Sequence, residues 1–347
     1  GRRGAAAGEA RGARADGAAR AKSPAFRASE GLNENYAREL LELHTLGVDG
    51  GYSQDDVEAV ARAFTGWTML PPVAADRLGA ERLQSPRARR AGFVSDGVFV
   101  FHPGYHDASK KRVLGVDLPA GRGIEDGQEV LDILVAHPST ARHLAHKLAV
   151  RFVADEPPAE VVDALAETFS RSQGDLRAVV RRLLELPQFW GAPRTKVRSP
   201  FELVAAAIRA LDGHLERPSR EIFDALESMG QPLYAQAAPT GYPDEAGQWL
   251  NSGTLLARMN FAVALLEGEV PGIRRPSLES SFPQVPAGDV RGAVRPVVQA
   301  LLPERSVDET VARLLPLVED ALENGEAPPS TNELFAWTLG SPEFQRR

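Results

Sequence analysis

The chain contains no cysteine, which excludes disulfides, thiolate metal sites, iron–sulfur clusters and cysteine nucleophiles together. It has no run of 18 apolar residues, so no membrane span can be placed. It also lacks the charged start and apolar stretch that mark a secretory leader. It does not begin with methionine, and Gly1 reads as an internal residue of a longer natural protein, so the missing leader leaves the compartment open. Positive charge is not in excess: 40 Lys and Arg stand against 47 Asp and Glu, net −7. That balance argues against a specific or general grip on nucleic-acid phosphates. The HExxH pair of zinc proteases, the GxxxxGK[ST] phosphate loop and the GxSxG elbow are absent. Gly121 and Gly123 lack the strand and helix context that a phosphate loop needs.

What is present is a globular composition, 43% hydrophobic and 25% charged, over 347 residues. That length suits one large core or two ordinary domains. Residues 1–30 stand apart: they are rich in Ala, Gly and Arg, with seven basic and three acidic residues. With no sustained apolar period they read as a flexible segment. From Gly31 the pattern turns helical. Leu32–Leu46 places Tyr36, Leu40, Leu43 and Gly47 on one stripe, with Glu34 and Arg38 as an i,i+4 pair and Gly47 as a stop. Ser53 to Asp56 opens a second helix with Val57, Val60, Ala61 and Phe64 on its buried face.

Residues 66–125 are the least helical part. They hold Pro71-Pro72, an Arg-rich patch (Arg77, Arg82, Arg87, Arg89, Arg90) and the run Val98–Phe101, a strand expected to form one arm of a hairpin. Solvated loops are the simpler reading of the arginines, and an anionic partner the other. Further helices are expected near 126–136, 138–153, 158–171, 175–186, 199–212, 219–229, 252–267, 289–301, 306–323 and 330–339. Capping boxes are expected at Ser199/Glu202, Ser306/Glu309 and Ser330/Glu333. In the loop 230–251, the aromatics Tyr234, Tyr242 and Trp249 read as a core plug, and 268–288 as a linker loop. The expected fold is mainly α: a multi-helix domain over 31–347 with a small β-hairpin and loop-rich insertion at 66–125.

The runs Gly31-Leu-Asn-Glu-Asn-Tyr-Ala-Arg-Glu-Leu-Leu-Glu-Leu-His-Thr-Leu-Gly-Val-Asp-Gly-Gly-Tyr52 and Ala61-Arg-Ala-Phe-Thr-Gly-Trp67 resemble the signature of the bacterial domain of unknown function 1800 family (DUF1800). The likeness continues in order through Phe101–Gly115, His137–Ala141, Lys147-Leu148, Gly174–Leu176, Ser199-Pro200, Pro239–Pro243 with Trp249, and Ser341–Phe344. It implies a soluble exported protein, periplasmic or extracellular. It also implies an N-terminal helical part with a Trp-His-Asn-His-Phe-like block that is not in this chain, and a protein partner from a neighbouring gene related to sulfatase-like proteins. It assigns no reaction.

Polar residues crowd the signature helix: Asn33, Glu34, Arg38, Glu39, Glu42 and His44. Glu39 and Glu42, three apart, share a face, whereas His44 points elsewhere. Joined by His106 or the upstream histidines, the two carboxylates would hold a divalent ion through mixed oxygen and nitrogen ligands. The alternative is a charged face satisfied by Arg38, Arg62 or backbone donors. His102, His106 and Asp107 fall in an irregular segment, where an imidazole beside a carboxylate suits general-base work or support of a metal ligand, and equally suits a loop pinned by hydrogen bonds. His143 and His146, three apart on one helix, read as solvated or interfacial rather than ligating. Two functions stay open: binding and assembly with the neighbouring-gene partner, or a metal-assisted hydrolytic or oxidative enzyme using Glu39, Glu42, His106 and Asp107.

Overall fold

Capping chemistry explains most of the helix starts. A computed structural model describes residues 32–70, 83–191, 195–286, 288–302 and 306–347. The Ala/Arg-rich head, Pro71, Pro72, Arg77 and Arg82 lie outside them. The chain is mainly helical and divides into two compact units: residues up to Ala37 with Ser53–Leu131, and Arg38–Tyr52 with Asp132–Arg347.

In the first unit, helix α1 (Glu34–Glu39), which belongs to this unit as far as Ala37, starts at Asn33, whose Oδ1 accepts from the Tyr36 N–H at 3.0 Å. Helix α2 (Gln54–Ala63) starts with a full Ser53/Asp56 capping box and buries Val57, Val60 and Ala61. Strand β1 (Trp67–Met69) and, after the short helix α3 (Pro86–Arg90), strand β2 (Val94–Asp96) both pair antiparallel with the central strand β3 (Phe99–Phe101). The expected hairpin arm is therefore the middle of a three-stranded sheet. A second hairpin joins β4 (Lys111–Val113) to β5 (Val116–Leu118) through Leu114 and Gly115, both at positive φ (47° and 85°). That is the two-residue turn whose twist suits adjoining strands. Leu114 tolerates it because its N–H is held by Asp56 Oδ1 at 2.7 Å. Helix α4 (Glu125–Ala136) contributes its residues up to Leu131 to this unit, with Asp126 and Val130 buried.

The second unit begins with a finding that periodicity did not predict. After Glu39 the signature helix widens into a π-helical turn, Leu40–Thr45, closed by the Leu46 N–H on the Leu41 carbonyl at 2.8 Å and by the Thr45 hydroxyl on the Leu40 carbonyl at 2.7 Å. The expected stripe of Tyr36, Leu40 and Leu43 is corrected as well: Ala37 and Leu41 are the fully buried positions, and Tyr36 is 47% exposed. Helices α5 (Pro138–Phe152), α6 (Ala159–Arg171) and α7 (Leu176–Glu185) pack around Ala145, Leu165, Phe169 and Leu183, with the short α8 (Pro187–Gly191) after them.

A larger core gathers α9 (Pro200–Ala210), α10 (Arg220–Ser228), α11 (Ser252–Glu267), α13 (Val290–Leu301), α14 (Val307–Glu323), α15 (Thr331–Gly340) and α16 (Pro342–Gln345), with α12 (Leu278–Ser281) between α11 and α13. Capping boxes form at Ser199/Glu202 and Ser330/Glu333; at Ser306 the side chain makes no cap, so spacing alone overstated that site. Residues 268–288 send Val270 and Phe282 into this core and pair Ile273–Arg274 (β7) with His214–Leu215 (β6). Trp249 plugs the core as expected, its Nε1 donating to the Pro243 carbonyl at 3.1 Å, and Tyr242 donates to the Pro232 carbonyl. Tyr234 does not follow them: it stands fully exposed at φ 58°.

Candidate functional site

The loop after β3 brings the polar motif residues of the first unit to one buried node. His106, with its side chain 2% exposed, faces oxygen on both sides: Nδ1 lies 2.8 Å from the Thr65 carbonyl and Nε2 3.3 Å from Asp126 Oδ2. A carbonyl can only accept, so Nδ1 carries a proton. Lys111, whose side chain is 0% exposed, donates from Nζ to the same Asp126 oxygen at 2.7 Å and to the backbone carbonyls of Ser109 and Asp107. Arg122 Nε completes the charge balance 3.1 Å from Asp126 Oδ1 and also binds Glu129. Three cationic or imidazole groups thus converge on one fully buried carboxylate. Sequence reading missed Asp126 and Lys111. The available signal was the alternation Lys111-Arg112-Val113, in which the lysine shares its strand face with a buried valine.

Asp107 sits beside this node and is held differently. Burial pushes its carboxyl up, but hydrogen bonds from Arg62 (Nε, 2.7 Å) and from the Ser109 hydroxyl and N–H, with the charge of Arg62, outweigh burial and bring it down to about 2. Its own N–H donates to the Thr65 hydroxyl at 2.8 Å. His102 is likewise engaged, its Nδ1 accepting from the Gly104 N–H at 3.1 Å while its ring stacks on Tyr105. As arranged, these side chains fasten loop to sheet and helix.

On the signature helix, Glu34 accepts from Gln54 Nε2 at 2.9 Å within the first unit. Arg38, Glu39, Glu42 and His44 belong to the second unit. Glu39 and Glu42 are half-buried and His44 is exposed. The Tyr52 hydroxyl is pushed above its usual value, first by burial and then by the Glu42 carboxylate that accepts its hydrogen bond. Also in this unit, the Leu43 carbonyl accepts from His143 Nε2 at 3.2 Å and from Lys147 Nζ at 3.3 Å, which clasps the π turn to α5. Among the described residues, no three His, Asp or Glu side chains stand together as a metal-holding group.

The signature also supplies an aromatic ladder in the first unit. Tyr36 meets Phe64 (ring centroids 5.7 Å apart), Phe64 meets Trp67 (4.9 Å) and Trp67 meets Phe99 (5.1 Å), all edge-to-face. The indole edge lies on Gly127, where an added Cβ would come within 2.7 Å of the ring. Together with Met69 and Tyr105 these rings line an open apolar groove of about 560 Å³. Tyr36, Met69 and Tyr105 are 47%, 72% and 62% exposed.

No curated protein and no solved structure matches the chain. One family model does, over residues 10–346, so that the match reaches back into the Ala/Arg-rich head. With its signature helix, aromatic ladder and buried polar node all inside that span, the chain belongs to the DUF1800 family, described as proteins of unknown function.

Proposed function

We propose that this chain belongs to an exported protein that works by binding and assembly, and that its partner is a protein encoded by a neighbouring gene of the sulfatase-like kind. The observation that carries the binding reading is the groove of Tyr36, Phe64, Trp67, Met69, Phe99 and Tyr105. Large, rigid, half-exposed aromatics are the residues that dominate protein interfaces, because they bury much area at little cost in conformational entropy. By contrast, the titratable motif residues His106, Asp107, Asp126 and Lys111 are committed to bonds inside the unit. Export and the identity of the partner gene rest on the family resemblance. Among the described residues no helix is long and apolar enough to cross a membrane.

The test is co-purification of the intact protein with the neighbouring-gene product, using Met69→Asp and Tyr105→Ala as surface changes in the groove. Stoichiometric capture by the parent, lost in both variants while circular dichroism is unchanged, is the expected result. Capture that both variants retain would remove the groove from the interface, and absence of capture by the parent would sink the assembly reading. The metal-assisted enzyme is the second reading. It is favoured by Glu39 and Glu42, two half-buried carboxylates three residues apart on the signature helix.

A further inference from the structure

Helix α11 is apolar on two faces. One face, with Phe261, Ala262, Leu265 and Leu266, is buried in the core of the second unit. The other carries Leu255, Leu256, Met259 and Val263, which are 43%, 58%, 54% and 41% exposed. Leu256, Met259 and Val263 follow the i, i+3, i+7 spacing of a single stripe. A soluble helix ordinarily turns polar residues to water, and a contiguous apolar stripe left bare marks a surface meant to be covered.

Beside the stripe, between α10 and α11, runs a groove of about 570 Å³. Its floor includes Ala225, Gly253, Ala257 and Ala264, small side chains that allow another backbone to come close, with Leu256 and Phe261 supplying apolar area. Its charged lining is of one sign: Glu221, Asp224 and Glu269, all exposed. Arg220 reaches Asp224 at 3.5 Å, but from a side chain 88% exposed, where a pair offsets little of the carboxylate field.

We infer that this groove docks a cationic amphipathic helix of a partner protein, its apolar face on the α11 stripe and its Lys or Arg residues over the three carboxylates. The acidic rim selects among the occupants. A second copy seated across a two-fold axis would bring these carboxylates against their own counterparts. An anionic lipid surface would meet the same repulsion. A basic helix converts the rim into attraction. This surface lies wholly in the second unit and goes beyond the aromatic groove of the first, so the two are tested separately.

The probe is a synthetic amphipathic peptide of Leu and Lys, about 18 residues to give five turns, titrated calorimetrically into the intact chain beside a Leu/Glu peptide with the same apolar face. The Leu/Lys peptide is expected to bind, with affinity falling as salt rises, and the Leu/Glu peptide to bind at least about tenfold more weakly. Leu256→Asp should abolish binding. The triple variant Glu221→Gln, Asp224→Asn, Glu269→Gln should weaken it about tenfold and flatten its salt dependence. The surface variant Tyr105→Ala should leave it unchanged, which separates failure here from failure of the aromatic groove. Equal binding of both peptides, no binding of either, or a chain that dimerises until Leu256→Asp makes it monomeric would each overturn the inference.

Discussion

Asp126 neutralises a lysine that has no contact with water, and this sets what its loss must do. In Asp126→Asn the buried ammonium of Lys111 keeps its backbone acceptors but loses its counter-charge. Breaking one side of a buried pair costs about 3–5 kcal/mol, because the remaining charge cannot be solvated. Asp126→Asn and Lys111→Met should each lower the denaturation free energy by about that amount, and the double variant should lose less than their sum. Urea titrations of the four proteins measure the coupling, and strict additivity would show that the pair does not act as a unit.

Two other groups give separate pH windows. Asp107 is held below its ordinary 3.8, so its contribution is present above that value and is lost as pH falls towards about 2. His143 is also shifted down, but for the opposite charge reason: folding disfavours its protonated form. Burial, helped by the charges of Lys147, His146 and His44, holds it below 6.5 despite its bond to the Leu43 carbonyl. The unfolded chain therefore takes up that proton first, and stability falls as pH drops below 6.5. Thermal midpoints should decline in both ranges, with the upper decline reduced in His143→Gln and the lower one in Asp107→Asn.

At the scale of the element, the sequence was most legible where a cap and a period agreed. Ser199-Pro200 with Glu202 and Ser330 with Glu333 marked real helix starts because spacing, N-terminal turn chemistry and the following apolar stripe all concur. Ser306 and Glu309 had the spacing without the geometry. The π turn at Leu40–Thr45 was illegible for a different reason: its extra residue carries the buried stripe from Leu41 to Leu46, five positions on, where a 3.6-residue count expects three or four, while the start at Tyr36 instead of Ala37 was an error of phase ahead of the turn.

The same turn makes Gly47 more than a stop. It sits at φ 87°, and a Cβ there would lie 2.9 Å from His143 Nδ1. Gly47→Ala should cost about 1–3 kcal/mol from backbone strain and displace the His143 ring, which would be seen as a changed imidazole shift in NMR together with a lower urea midpoint. An unchanged His143 signal would mean that the clasp does not depend on this glycine.

For the whole molecule, the sequence revealed kinship and helix content but not which polar residues are spent. Glu39, Glu42 and His106 looked equivalent as ligands because a sequence does not record burial. In the structure His106 is locked between Thr65 and Asp126, whereas Glu39 is half-buried on the signature helix and outside that node. This decides how the metal reading should be tested. A variant that removes His106 would leave the Asp126 node short of a partner and confound loss of metal with loss of fold. Glu39→Ala with Glu42→Gln avoids that, since neither side chain belongs to the node. Elemental analysis of the intact protein purified without chelators should therefore give the same metal content for parent and double variant if binding is the function, with partner capture retained in both. Stoichiometric metal in the parent that disappears in a folded double variant would overturn that assignment and place Glu39 and Glu42 among the ligands of a metal-assisted enzyme.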